Sequence, residues 1–282
     1  MSNLSKTFRY VNADGGEIVF EYDRGYLINK PNGIDTVSCK LNEAQGIDQT
    51  GTTVQSVNVQ SRPVTVRGIL VGEFQAENKD ALLSVVRPDL DGRFYADDYY
   101  LDVRPTATPT IEARPVFAAF QFSLTAPYPY WQKDSSAKAT LSGVSYGFKF
   151  PWNQSRKYRF GTVVTAQFIN VKNGGQVPVP YTLTFSALNE VKNPQILDAA
   201  SGKFIRLNKS LAAGERVVIE ITHDRTYVTS SVDGECRGAL ELTSSLYRLA
   251  VGDNVLKPTA DEGMDNLQVS IDFAEEIVGI SV

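Results

Sequence analysis

Apolar and polar residues alternate with a period of two in several stretches of this chain. Val116, Ala118, Phe120, Phe122 and Leu124 share one side of one run. Tyr181, Leu183 and Phe185 share one side of another, separated by Thr182 and Thr184. Val217, Ile219 and Ile221 form a third set, and Leu267, Val269, Ile271 and Phe273 a fourth, with Gln268, Ser270 and Asp272 between them. Successive side chains on a strand point to opposite faces, so this pattern predicts strands with one buried and one wet face. Only one segment, from about Ala76 to Val86, carries helical spacing, with Leu82, Leu83 and Val86 on one side. Pro88 stops it, because proline removes an amide donor and restricts Arg87. One helix among many strands excludes a regular alternation of strand and helix and so disfavours the parallel-sheet enzyme folds built on it.

Turn signals punctuate the strands at Asp14-Gly15-Gly16, Pro31-Asn32-Gly33, Asn173-Gly174-Gly175, Ser201-Gly202, Ala213-Gly214 and Asp233-Gly234. After residue 160 their spacing is that of a β-sandwich. A domain boundary is expected after Tyr128-Pro129-Tyr130-Trp131, where the Phe120–Leu124 run gives way to small polar residues. The domains are read as 1–131 and 132–282, and a length of 282 residues is compatible with two cores. The polar stretch from Lys40 to Gln55 has little to bury against its own domain. It is a candidate extended hairpin or flexible loop, and the preferred inter-subunit arm.

Composition sharpens this picture. Thirteen Tyr and fourteen Phe favour strands. A formal net charge of −4 lacks the positive field of a general nucleic-acid binder, and Arg156, Lys157 and Arg159 form only a local basic group. The N-terminus shows no apolar signal core, and no apolar run approaches the ~20 residues that span a bilayer. The expectation is therefore a protein made in the cytoplasm and not inserted in membranes. Cys39 and Cys236 are far apart and read as two separate thiols.

Candidate chemistry is sparse. His223 is the only histidine, in Ile221-Thr222-His223-Asp224-Arg225, without a nucleophile elbow nearby. No phosphate-binding glycine loop or paired Cys-x-x-Cys is present. Asp89, Asp91, Asp97 and Asp98 could offer oxygens to calcium, but they lack the twelve-residue loop with its closing Glu, and Asp-Leu-Asp-Gly is a good turn by itself. Glu275 and Glu276 are adjacent and would point to opposite faces of a strand. The reading is a chain with no catalytic residue, no metal site and no cofactor. Trp152, in Phe150-Pro-Trp-Asn-Gln, is a possible carbohydrate contact through ring stacking, although such a ring more commonly anchors a loop.

The segment from Ala81 to Trp131 carries a resemblance. It runs Ala81-Leu-Leu-Ser-Val-Val-Arg-Pro, Gly92-Arg-Phe-Tyr, Tyr100-Leu-Asp-Val-Arg-Pro, then Arg114 and a strand entering Ala126-Pro-Tyr-Pro-Tyr-Trp. With Arg62-Pro-Val-Thr-Val-Arg-Gly-Ile-Leu-Val-Gly upstream, it resembles the first domain of the distal tail proteins of siphophages. Phe168-Ile-Asn-Val-Lys-Asn-Gly-Gly, Val179-Pro-Tyr-Thr-Leu-Thr-Phe, Asn193-Pro-Gln-Ile, Ile205-Arg-Leu, Ala213-Gly-Glu-Arg-Val-Val-Ile-Glu-Ile and Leu249-Ala-Val-Gly-Asp-Asn follow in that family's order.

The resemblance implies a mainly β protein. Its first domain would be β-sandwich or split-barrel-like, with one helix, and would form rings. Its second would be a galectin-like jelly-roll sandwich at the periphery. It implies a structural, non-enzymatic role as a homohexamer at the virion tail tip. Such a ring joins the tail tube to the tail-tip hub, the adsorption apparatus and its receptor-binding proteins, and DNA passes through it without specific binding. The galectin sugar constellation His-x-Asn-x-Arg is absent, since His223 is followed by Asp224 and Arg225. The alternative is a carbohydrate-binding module used in attachment to the host cell wall.

Overall fold

The computed structural model describes residues 6–72, 75–146, 161–164 and 168–282. The chain is mainly β, with one α-helix among the described residues, and divides into two compact units. Unit 1 comprises Met1–Asp134 with Glu276–Val282, and unit 2 comprises Ser135–Glu275.

In unit 1, strands Glu17–Val19, Phe8–Asn12, Gly92–Ala96 and Tyr99–Pro105 pair antiparallel in that order. A second ladder runs Tyr26–Ile28, Arg62–Leu70, Ala118–Ala126, Thr110–Ala113. Their inward residues, among them Phe8, Tyr10, Phe94, Phe120 and Phe122, make one core with Trp131, and Phe8 and Phe94 stack at 5.7 Å. Val116 does not join this face: the strand begins at Ala118, and Val116 is 80% exposed. The helix spans Gln75–Val85, and Leu82 and Val86 are buried while Leu83 faces out. At 100° per residue, adjacent Leu82 and Leu83 cannot both face the core of a narrow contact. The Asn12 amide caps the helix end by donating to the Val85 carbonyl at 3.1 Å.

Unit 2 is a two-sheet sandwich. One sheet orders Trp131–Tyr146, Leu267–Ile277, Thr182–Ala187, Arg216–Ile221, Thr226–Ser230, Gly234–Glu235. The other orders Ile169–Asn173, Gly252–Thr259, Gln195–Asp198, Phe204–Arg206. The alternating sets around Leu183, Ile219 and Ile271 supply its core, together with Val171, Ile196, Ile205 and Leu256.

The chain passes between units at Asp134/Ser135, close to the boundary expected after Trp131 and within the continuous strand Trp131–Tyr146, but one feature differs from the expected domain limits. Residues 276–282, expected with the second domain, pack in unit 1. The cause is a buried node. Arg62, 2% exposed, donates to the carbonyls of Gly33 (3.1 Å) and Ile34 (2.8 Å) and to that of Val278. The Ile34 carbonyl also accepts Trp131 Nε1 at 2.9 Å and the Ile280 amide at 3.0 Å, and the Ile280 side chain is buried. Close approach here requires glycine, since a Cβ on Gly279 would lie 2.2 Å from the Asp35 carbonyl oxygen.

Candidate interaction surface

The stretch from Lys40 to Gln55 lies in a hairpin of Cys39–Ala44 and Thr53–Val59, closed at its base by the Gln60 amide donating to Ser38 at 2.9 Å. Its turn is organised by its own side chains. Gly46 N–H donates to Gln49 Oε1 (2.9 Å), Gln49 Nε2 to Thr53 Oγ1 (2.9 Å), and Thr52 Oγ1 to Glu43 Oε2 (2.7 Å). Ile47 stands at the tip, 99% exposed.

The ladder pairs Cys39↔Val59 and Leu41↔Val57, then shifts between Asn42 and Glu43 so that Glu43 pairs with Val54. Gln55 is the extra residue of a bulge. Strict alternation would turn Val54 to the face opposite Val57 and Val59. The bulge returns it, so Leu41, Val54, Val57 and Val59 share one face with Cys39, while Lys40, Asn42, Ser56 and Asn58 occupy the other. These four apolar side chains are each 46–56% exposed. The arm expected from sequence is thus an amphipathic ribbon with an uncovered apolar face. Its one sequence signal was the break of phase between Val54 and Val57.

The other candidate residues do not converge. Trp152 lies outside the described residues. His223 follows the strand Arg216–Ile221, and its carbonyl accepts Arg248 Nη2 at 3.2 Å. Three of the four aspartates considered for calcium have a cationic or backbone partner: Asp89 pairs with Arg87, Asp91 with Arg104 at 2.7 Å, and Asp97 with Lys6 and the Thr7 amide at 2.9 Å each. Burial alone would raise the Asp97 carboxyl, but those two donors hold it below the usual carboxylate range. No cluster of three or more His, Cys, Asp or Glu suited to a metal ion occurs among the described residues. Glu275 and Glu276 part company: Glu275 accepts the Gly174 amide at 3.2 Å, while buried Glu276 accepts the Tyr128 hydroxyl at 2.5 Å. Cys39 and Cys236 are both free thiols, Cys39 exposed and Cys236 half-buried. Among the described residues, no helix is long and apolar enough to cross a membrane.

Residues 174–276 match the sequence profile of the siphovirus-type tail component, C-terminal domain. The whole chain is similar in fold to the SPP1 Dit protein, described as a paradigm of the hub adsorption apparatus in phages that infect Gram-positive bacteria. The TM-score is 0.70 at 15% identity, over 95% of this chain and 98% of that one. It is also similar to a chain of the phage P2 baseplate in its calcium-activated conformation, with TM-score 0.52 and 10% identity, over 98% of this chain and 100% of that one. No curated protein matches by sequence. Residues 174–276 thus match the model of the siphovirus-type tail component C-terminal domain, on a chain whose mainly β fold is similar to that of the SPP1 Dit protein.

Proposed function

We propose that this chain is a structural, non-enzymatic distal tail protein of a long-tailed phage or prophage-derived particle. Unit 1 assembles six copies into a ring that joins the tail tube to the tail-tip hub and the host-adsorption apparatus, and unit 2 is peripheral. The likeness to the SPP1 Dit protein and to a P2 baseplate chain supports the hub location. The observation that carries self-assembly is the one-sided apolar hairpin. A half-exposed aliphatic side chain gains about 1 kcal/mol when covered, so Leu41, Val54, Val57 and Val59 together supply about 4 kcal/mol. That barely reaches the lower end of the roughly 4–15 kcal/mol entropic cost of association. One such contact does not hold a dimer, but a closed ring gives every copy two contacts, one donated and one received. Closure also covers strand edges that would otherwise pair indiscriminately.

Light scattering during size exclusion tests this. The expected mass is six times the 31.0 kDa of one chain, or twice that for paired rings. Leu41→Asp with Val57→Asp should leave a folded monomer, because both side chains already face solvent. Deleting Gln55 removes the bulge but keeps Val54 opposite Glu43 and on the face of Val57, so the ring should survive it. A double variant that assembles as well as the parent would refute the role of the hairpin.

A further inference from the structure

The outward faces of the two units are chemically different. In unit 1 the outward polar residues satisfy each other across strands: Arg93 with Asp102 at 2.9 Å, Arg67 with Gln121 at 2.7 Å, Arg9 with Glu17 at 3.2 Å and Thr65 with Ser123 at 3.3 Å. In unit 2 the outward face of the strands Leu267–Ile277, Thr182–Ala187 and Arg216–Ile221 forms a shallow trough of about 450 Å³. Its floor consists of half-buried Thr184, Ser186, Gln268 and Ser270. Among the described residues, none of these four side chains has a hydrogen-bond partner within the chain. The floor therefore holds donors and acceptors that are partly withdrawn from water and not committed to the protein.

The register sets their geometry. Thr184 pairs with Ser270 on one side and Val218 on the other, and Ser186 pairs with Gln268 and Arg216. Neighbouring strands lie about 4.8 Å apart, so hydroxyl and amide groups recur across the trough at a spacing comparable to a pyranose ring. In the next row Thr182 pairs with Asp272 and with Glu220, and Glu220 pairs with Tyr227, whose ring is 46% exposed.

These features select a ligand class by elimination. The rim cations Lys138 and Arg216 are balanced by Asp272 and Glu220, and Lys138 lies 3.6 Å from Asp272. A balanced rim gives no field for a phosphate polymer. A floor of hydroxyls and an amide around one half-buried aliphatic residue, Val218, does not suit a lipid or the apolar core of a protein interface. It suits a neutral molecule rich in hydroxyl groups, each of which donates and accepts, with Tyr227 as an edge on which a ring can rest. We infer that this trough binds a neutral oligosaccharide.

Calorimetric titration of the full-length protein tests the assignment, using neutral hexose oligomers, N-acetylhexosamine oligomers and polyglycerol phosphate as probes. The expected result is saturable, millimolar-range binding of a neutral oligomer, about tenfold weaker in Thr184→Val with Ser270→Ala at unchanged melting temperature. Tyr227→Ala, at an exposed site, supplies a second variant that folds, and it too should weaken binding. The assignment fails if no neutral oligomer binds up to about 10 mM, if only the anionic polymer binds, or if both variants bind like the parent. It fails equally if Trp152→Phe alone abolishes binding, since the site would then lie elsewhere. The proposal is independent of ring assembly, so light scattering should give the same mass for the Thr184/Ser270 variant. A lost oligomer would make this face a subunit contact instead.

Discussion

Replacing Arg62 by Met tests what holds the C-terminal residues to unit 1. Met keeps much of the buried stem and removes the guanidinium, which donates to the Gly33, Ile34 and Val278 carbonyls. The Ile34 carbonyl keeps two other donors, Trp131 Nε1 and the Ile280 amide, so the loss falls on Gly33 and Val278. A buried carbonyl deprived of a donor costs about 1–3 kcal/mol, giving roughly 2–6 kcal/mol for the pair. Against this stands the cost of burying the cation, which pulls the guanidinium down to about 10 and is relieved in the variant. At neutral pH the group remains charged, so part of the loss is offset and about 3 kcal/mol remains. At 3–4 °C per kcal/mol for a unit of this size, Tm should fall by about 10 °C. Scanning calorimetry would measure it, with near-ultraviolet circular dichroism reporting the Trp131 environment. Arg62→Lys should fall between the two, because one ammonium cannot span three carbonyls as a planar fork does. A Met variant within about 2 °C of the parent would refute the reasoning: desolvation of the cation would then cancel its hydrogen bonds, leaving Ile280 to hold the C-terminus.

Two further outcomes follow from buried carboxylates. Tyr128→Phe removes a 2.5 Å hydrogen bond to Glu276, which is 1% exposed, and should cost about 2 kcal/mol in urea unfolding; Phe in place of Tyr fills the same space, so a neutral result would show that the hydroxyl adds nothing. Glu215 is buried, which by itself would raise its carboxyl. Lys209 at 2.7 Å, Ser230 at 2.6 Å and the Ala212 amide at 2.9 Å outweigh that and hold it below the ordinary glutamate value of 4.5. A folded-state value below the unfolded one means the contribution is present above about 4.5 and is lost as pH falls through the lowered value. Urea midpoints measured from neutral to acid pH should therefore decline less steeply in Glu215→Gln than in the parent, and parallel curves would contradict the assignment.

The two-residue alternation around Phe120, Leu183, Ile219 and Ile271 already determined the strand class and the core faces, because burial on a pleated sheet repeats every second residue. The helix was equally legible, from its spacing and from Pro88. Local pattern did not carry the closure of unit 1 by residues 276–282. That depends on Arg62 meeting a carbonyl more than two hundred positions away, and nothing near Arg62 or Val278 announces it. Nor could it show that the polar residues after Trp131 continue a strand, since hydrogen bonding to neighbours outweighs the low strand propensity of Asp, Ser and Lys. The hairpin was visible as a polar stretch with nothing of its own to bury. Its apolar face was not, because a single bulge at Gln55 decides on which side Val54 lies, and a bulge is defined by the register of two strands rather than by either one alone.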